Sequence, residues 1–161
     1  MRACLWIPGT FSLTNQMLSN LRAAGYARGR AIRGAVDAFE QETKAIRRAA
    51  KAAVRRSSFG VLEGVPWDEV ELEFWVFGHR KHDPDAWYLL GKAVTDGLGD
   101  AGVFASDRFC IGGTAGRVLT TLEGEACRRG YANETMESEV VPLDQPGVLV
   151  WMMAAGRCGH A

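Results

Sequence analysis

The sequence predicts a mixed α/β (α+β) fold in which two main helices and a mixed β-sheet form two layers, in the order β-α-β-α-β-β. Three observations support this. Apolar residues recur at helical spacing in two segments, they alternate with polar residues between those segments, and a continuous apolar run lies near the end. Because 161 residues can bury one core, we expect a single domain over residues 1–161.

In the N-terminal half, residues 3–8 (ACLWIP) predict a short strand that ends at Pro8, and a polar loop follows. A long helix is expected over residues 28–56, where alanines, Phe39, Ile46 and Val54 form an apolar stripe. Residues 67–78 (WDEVELEFWVFG) alternate cleanly, which predicts a half-buried strand with its glutamates facing outward.

The second helix is predicted to start near Pro84–Asp85. Asp83 or Asp85 is its expected N-cap, since proline favours the first helical turn. Gly99 and Gly102 supply its stop signals.

The last third of the chain predicts two further strands. Residues 107–121 predict a strand that is broken near Gly112–Gly113, and residues 147–155 predict a buried final strand. The segment 122–146 is poorly patterned and fits an insertion or a hairpin tip.

Composition narrows the class of protein. No apolar run approaches the roughly 20 residues of a membrane span, and one early positive charge does not make a secretory signal. The four cysteines form no CxxC pair, which argues against a structural zinc site and fits reduced thiols in a cytoplasm.

Positive charge is concentrated in residues 22–56, which hold ten basic and three acidic side chains in a chain of zero net charge. Such a segment could attract a polyanion, although a solvated helix face is the commoner explanation. The candidate residues for contact with a polyanion, such as DNA, are Arg28, Arg30, Arg33, Lys44, Arg47, Arg48, Lys51, Arg55 and Arg56.

Carboxylates flank the second predicted helix. Asp83 and Asp85 precede it and Asp107 follows it, and carboxylate oxygens are ligands that Mg²⁺ prefers. Lys92 could reach a phosphate, so the set suits phosphodiester hydrolysis. The site requires that the loop after Gly102 run back along the helix.

Each of these residues also has an ordinary explanation. The first two aspartates could be caps, Asp107 a turn residue, and Lys92 and Asp96 a surface ion pair. His79 and His82 could be structural, and Trp75 and Trp87 could pack in the core instead of stacking on bases.

The segment DPDAWYLLGKAVTDGLGDAGVFASD (83–107) resembles the signature of the RusA-like Holliday junction resolvases, small endonucleases of bacteria, phages and prophages. The segment IPGTFSLTNQML (7–18) is similar to the family's opening strand. The resemblance covers residues 5–15 and 71–117. It implies a magnesium-dependent endonuclease, with Mn²⁺ as a possible substitute, that cuts four-way DNA junctions in recombination and repair.

The resemblance also implies the site. Asp83, Asp85 and Asp107 match the metal-binding aspartates, and Lys92 matches the catalytic lysine if three extra residues are allowed before it. Two positions depart from the pattern: Ala86 stands where the family has asparagine, and Ser106 replaces the first aspartate of a pair.

The resemblance further implies a homodimer, and a two-fold dimer would suit the approximate two-fold symmetry of a junction. The departures at Ala86 and Ser106 leave an alternative open, a catalytically silent protein that binds branched DNA or acts as a dimeric scaffold. A small-molecule metal hydrolase has little support, because the chain has no P-loop or GxGxxG motif.

Overall fold

The computed structural model describes residues 2–11, 17, 19, 23, 30–56, 70–77, 87–105, 110–118 and 145–154. The elements within these ranges are β1 (Arg2–Pro8), α1 (Arg30–Arg56), β2 (Val70–Phe77), α2 (Tyr88–Asp100), β3 (Cys110–Val118) and β4 (Gly147–Ala154). The predicted order β-α-β-α-β-β is therefore confirmed.

The four strands form one mixed sheet in the order β1-β4-β2-β3. The last strand, β4, lies between β1 and β2 and is antiparallel to both. A central strand is covered on both faces, which explains why its sequence is continuously apolar. β2 and β3 are parallel neighbours, so α2 is the crossover that connects them.

The pairing of β2 with β3 is irregular where the sequence has two adjacent glycines. Leu72 lies opposite Gly112, whereas Phe74 lies opposite Ala115, so β3 carries an extra residue between these pairs. The predicted break near Gly112–Gly113 is thus observed as a register shift inside a continuous strand.

One face of the sheet packs against the two helices. The alternation predicted for β2 is confirmed from Val70 to Val76, where alternate residues are buried, Glu71 is exposed and Glu73 is half-buried. It ends at Phe77, which is buried on the opposite face. The helices supply the other half of this core with Ile46, Ala50, Ala53 and Val54 from α1 and Leu90, Ala93, Val94 and Leu98 from α2. Burial of each larger apolar side chain contributes about 1.5–3 kcal/mol to the free energy of folding.

The opposite face of the sheet carries a second buried cluster, formed by Cys4, Trp6, Phe77, Leu149 and Trp151. The rings of Trp6 and Phe77 meet edge to face, with centroids 5.8 Å apart. A Cβ on Gly147 would lie 2.5 Å from the Trp6 ring, so this strand position requires glycine.

At its start, α2 is α-helical from Tyr88, and Trp87, its N-cap, is in a 3₁₀ turn and makes no side-chain capping hydrogen bond. The predicted start near Pro84–Asp85, with Asp83 or Asp85 as N-cap, lies outside the described residues. Trp87 is only 2% exposed, so burial of its large ring anchors this end of the helix in the core.

The end of α2 agrees with its predicted stop signal at Gly102. That glycine has φ +83°, and its N–H donates to the Gly99 carbonyl at 2.9 Å. The Val103 N–H donates to the Leu98 carbonyl at 3.1 Å, which completes a Schellman motif. The two side chains joined by that bond are both buried, as this motif favours.

Candidate functional site

The two helices come into very close contact at Gly97. A Cβ at this position would lie 2.7 Å from the Arg47 carbonyl oxygen and 2.8 Å from the Ala50 Cβ. Only glycine permits this approach, which brings the Arg47 side chain of α1 beside the last turns of α2.

Arg47 forms a fork with Asp100 at the end of α2. Its Nη2 lies 2.8 and 3.0 Å from the two carboxylate oxygens, and its Nε lies 3.1 Å from Oδ2. A carboxylate in the last turn opposes the helix dipole, and the guanidinium offsets that unfavourable charge. Because both side chains are partly exposed, the pair contributes at most about 1 kcal/mol.

Lys92, the predicted catalytic residue, lies on an exposed part of α2 and pairs with Asp96 one turn later. Its Nζ is 3.4 Å from Asp96 Oδ1. The other carboxylate oxygen, Oδ2, lies 3.9 Å from Arg47 Nη1. The four side chains Lys92, Asp96, Arg47 and Asp100 therefore form a row of alternating charge, which we call the charge row.

Next to the charge row lies a shallow depression whose wall includes Phe104 and Ala105. The Phe104 ring contacts Gly99, one turn inside the helix, at 3.2 Å from where a Cβ would be. After Gly102 the chain therefore reverses over the last turns of α2, and Ala105 reaches the depression that Asp96 also lines. The described residues of this return, 103–105, do not reach the start of α2, and β3 begins with Cys110 opposite Val70, at the other end of the helix.

The three predicted metal ligands, Asp83, Asp85 and Asp107, lie outside the described residues. Within the described ranges, no group of three His, Cys, Asp or Glu side chains is placed to hold a metal ion. Since α2 has 13 residues, its ends are about 18 Å apart. The metal site stays a prediction that depends on the return of the chain toward the start of α2.

His79, His82, Ala86 and Ser106 also lie outside the described residues. Trp87 is in the core, and Trp75 packs against the second sheet cluster, so their ordinary explanation is confirmed.

Basic residues line the outer face of α1. Lys44, Arg48, Lys51 and Arg55 follow one another at intervals of four, three and four residues, opposite the buried Ile46. We call these four residues the basic stripe. Arg48 and Arg55 are exposed, Lys51 is half-buried, and Lys44 pairs with Glu40 at 3.2 Å.

The other candidate DNA-binding residues fall in different settings. Arg33 and Arg56 are exposed. Arg30 begins α1, but its side chain lies outside the described part of the chain, as does all of Arg28. Arg47 is engaged by Asp100, so its guanidinium is not free for a phosphate in this structure.

Sequence reasoning missed Asp100 and Gly97 as determinants of this site. Asp100 lies 53 residues from its partner Arg47, and no local pattern links the two. The only available signal was that Asp96 and Asp100 are one turn apart on a helix and need a cation nearby.

No protein-family model matches this chain, and no curated protein or solved structure matches it either. None of the helices in the described ranges is both long and apolar enough to cross a membrane.

Proposed function

We propose that this chain is a Mg²⁺-dependent, structure-selective endonuclease that cleaves four-way (Holliday) DNA junctions by paired phosphodiester hydrolysis. The observation that carries the proposal is the motif at residues 83–107, which includes Lys92 on the exposed side of α2. The approach of residues Asp83, Asp85 and Asp107 to one another is part of the proposal, since all three lie outside the described residues.

Asp83, Asp85 and Asp107 are the proposed ligands, since carboxylate oxygens suit Mg²⁺ or Mn²⁺. Such a metal, when bound, activates water and stabilises charge on the phosphate. The Lys92 ammonium is proposed to contact a phosphate oxygen as negative charge grows there.

The basic stripe is the proposed contact with the DNA backbone. Its four cations extend over about 16 Å of helix, since 11 residues separate Lys44 from Arg55. Phosphate contacts give affinity without reading the base sequence, which suits an enzyme that selects branch shape. A homodimer that acts in bacterial or phage-infected cytoplasm completes the proposal.

Asp85→Asn tests the metal role. We expect loss of cleavage while the Kd for a four-way junction stays within about twofold, because the ligand acts on the scissile phosphate and not on the backbone as a whole. Glu71→Gln is the matched control, since it removes one negative charge from an exposed strand position. Equal loss of binding and cleavage in Asp85→Asn would contradict the proposed role.

A catalytically silent protein that binds branched DNA or acts as a dimeric scaffold is the second candidate, and Ala86 and Ser106 favour it. That function predicts tight junction binding without nicks in Mg²⁺ or Mn²⁺. The double change Ala86→Asn with Ser106→Asp would then be expected to introduce cleavage.

A further inference from the structure

The carboxylate of Asp96 is shared between two cations from two different helices. Oδ1 faces the Lys92 ammonium at 3.4 Å, and Oδ2 faces the Arg47 guanidinium at 3.9 Å. Arg47 is itself held by the fork to Asp100. Asp96 thus lies between a cation of its own helix, within hydrogen-bonding distance, and a cation of α1 that is slightly farther away.

Asp96 is less exposed to solvent than the acidic residue of another lysine–carboxylate pair with the same spacing. Glu40 and Lys44 are also four residues apart on a helix, but their side chains are 56% and 63% exposed. The Asp96 side chain is only 25% exposed and lies in the depression beside α1. A carboxylate that is partly shielded from water pairs more strongly with a lysine than a fully solvated carboxylate does, so we expect the Lys92 side chain to move less than that of Lys44.

We infer that Asp96 is a positioning residue for Lys92, and that Arg47 keeps Asp96 in place. This inference rests on the proposed function, in which Lys92 acts on the scissile phosphate. The ion pair keeps the ammonium within 3.4 Å of the Asp96 carboxylate and so limits the space that it samples. A catalytic cation held in one place avoids the loss of rate that misplacement causes.

The test compares Asp96→Asn with Asp96→Glu and with the matched control Glu71→Gln, which removes one negative charge from an exposed position of β2. Four-way junction cleavage is measured in Mg²⁺. We expect kcat to fall at least about tenfold in Asp96→Asn with KM within about twofold, since a 1 Å misplacement costs on the order of 100-fold. Asp96→Glu should restore part of kcat, and Glu71→Gln should leave kcat unchanged.

A second measurement does not need cleavage. The order parameter of the Lys92 ammonium, from ¹⁵N relaxation, should be higher than that of Lys44 and should drop in Asp96→Asn. The variant Lys92→Arg removes the ammonium resonance of Lys92 from the spectrum and so assigns it. If Asp96→Asn acted only by weakening the fold, its melting temperature would fall, and the order parameters of the Lys92 and Lys44 ammonium groups would change by the same amount.

The outcomes separate the two ideas. If the wild type cuts junctions and Asp96→Asn cuts them at the same kcat, the inference is overturned and the proposed function stands. If the wild type cuts nothing, the proposed function fails, and the catalytic part of the inference fails with it. An unchanged Lys92 order parameter in Asp96→Asn would overturn the positioning role in either case.

Discussion

Gly97→Ala is the most direct test of how the two helices pack. The added methyl group would lie 2.7 Å from the Arg47 carbonyl oxygen and 2.8 Å from the Ala50 Cβ. Ordinary contact begins near 3.5 Å, so the helices must separate by roughly 0.7–0.8 Å. Neither contacting atom belongs to a flexible side chain that could rotate away.

The expected magnitude follows from two opposing terms. Overpacking of this kind costs about 1–3 kcal/mol, with the upper end expected against backbone atoms. Alanine is a better helix former than glycine by about 1 kcal/mol. We therefore expect a net loss of about 2 kcal/mol, which lowers the melting temperature by about 4–8 °C for a domain of this size.

Gly34→Ala provides the matched control. Gly34 lies within α1, is exposed, and has no atom within 4 Å of where its Cβ would be. The same substitution should raise stability there by up to about 1 kcal/mol. Chemical denaturation of both variants gives the free energies of unfolding. If Gly97→Ala were as stable as Gly34→Ala, the close crossing of α1 and α2 would be refuted.

Two further predictions concern the basic stripe and the second sheet cluster. Arg48→Ala with Arg55→Ala should weaken junction binding and reduce the slope of log Kd against log salt by about 1.8, if each arginine neutralises one phosphate; an unchanged slope would move the DNA-binding face elsewhere. Gly147→Ala should destabilise the fold by about 1–3 kcal/mol, because its Cβ would overlap the Trp6 ring. The Ile7 carbonyl oxygen would also lie only 2.6 Å from this Cβ. Thermal unfolding measures the loss, and an unchanged melting temperature would contradict the close contact.

The strands were predictable because the order of polar and apolar residues along a short segment shows which side chains are buried. Val70, Leu72, Phe74 and Val76 alternate with polar or larger neighbours, and residues 147–152 are continuously apolar. Each pattern reports only how many faces of a strand are buried. The insertion of β4 between β1 and β2 depends on pairing between distant segments, which neither pattern specifies.

The helices show where local reasoning succeeds and where it fails. Gly102 ends α2 as predicted, since a positive φ is a local requirement of the backbone. The Arg47–Asp100 fork was missed, because the close approach at Gly97 that creates it joins segments about 50 residues apart.

The central claim is most directly tested by incubating the wild-type protein with a labelled four-way junction and with a linear duplex of matched sequence, each with and without Mg²⁺. The account predicts symmetrically paired nicks in the junction alone, and only when Mg²⁺ is present. Nicks of equal rate in the duplex would contradict structure selectivity. Junction binding without nicks in either Mg²⁺ or Mn²⁺ would contradict the endonuclease assignment and favour the catalytically silent protein.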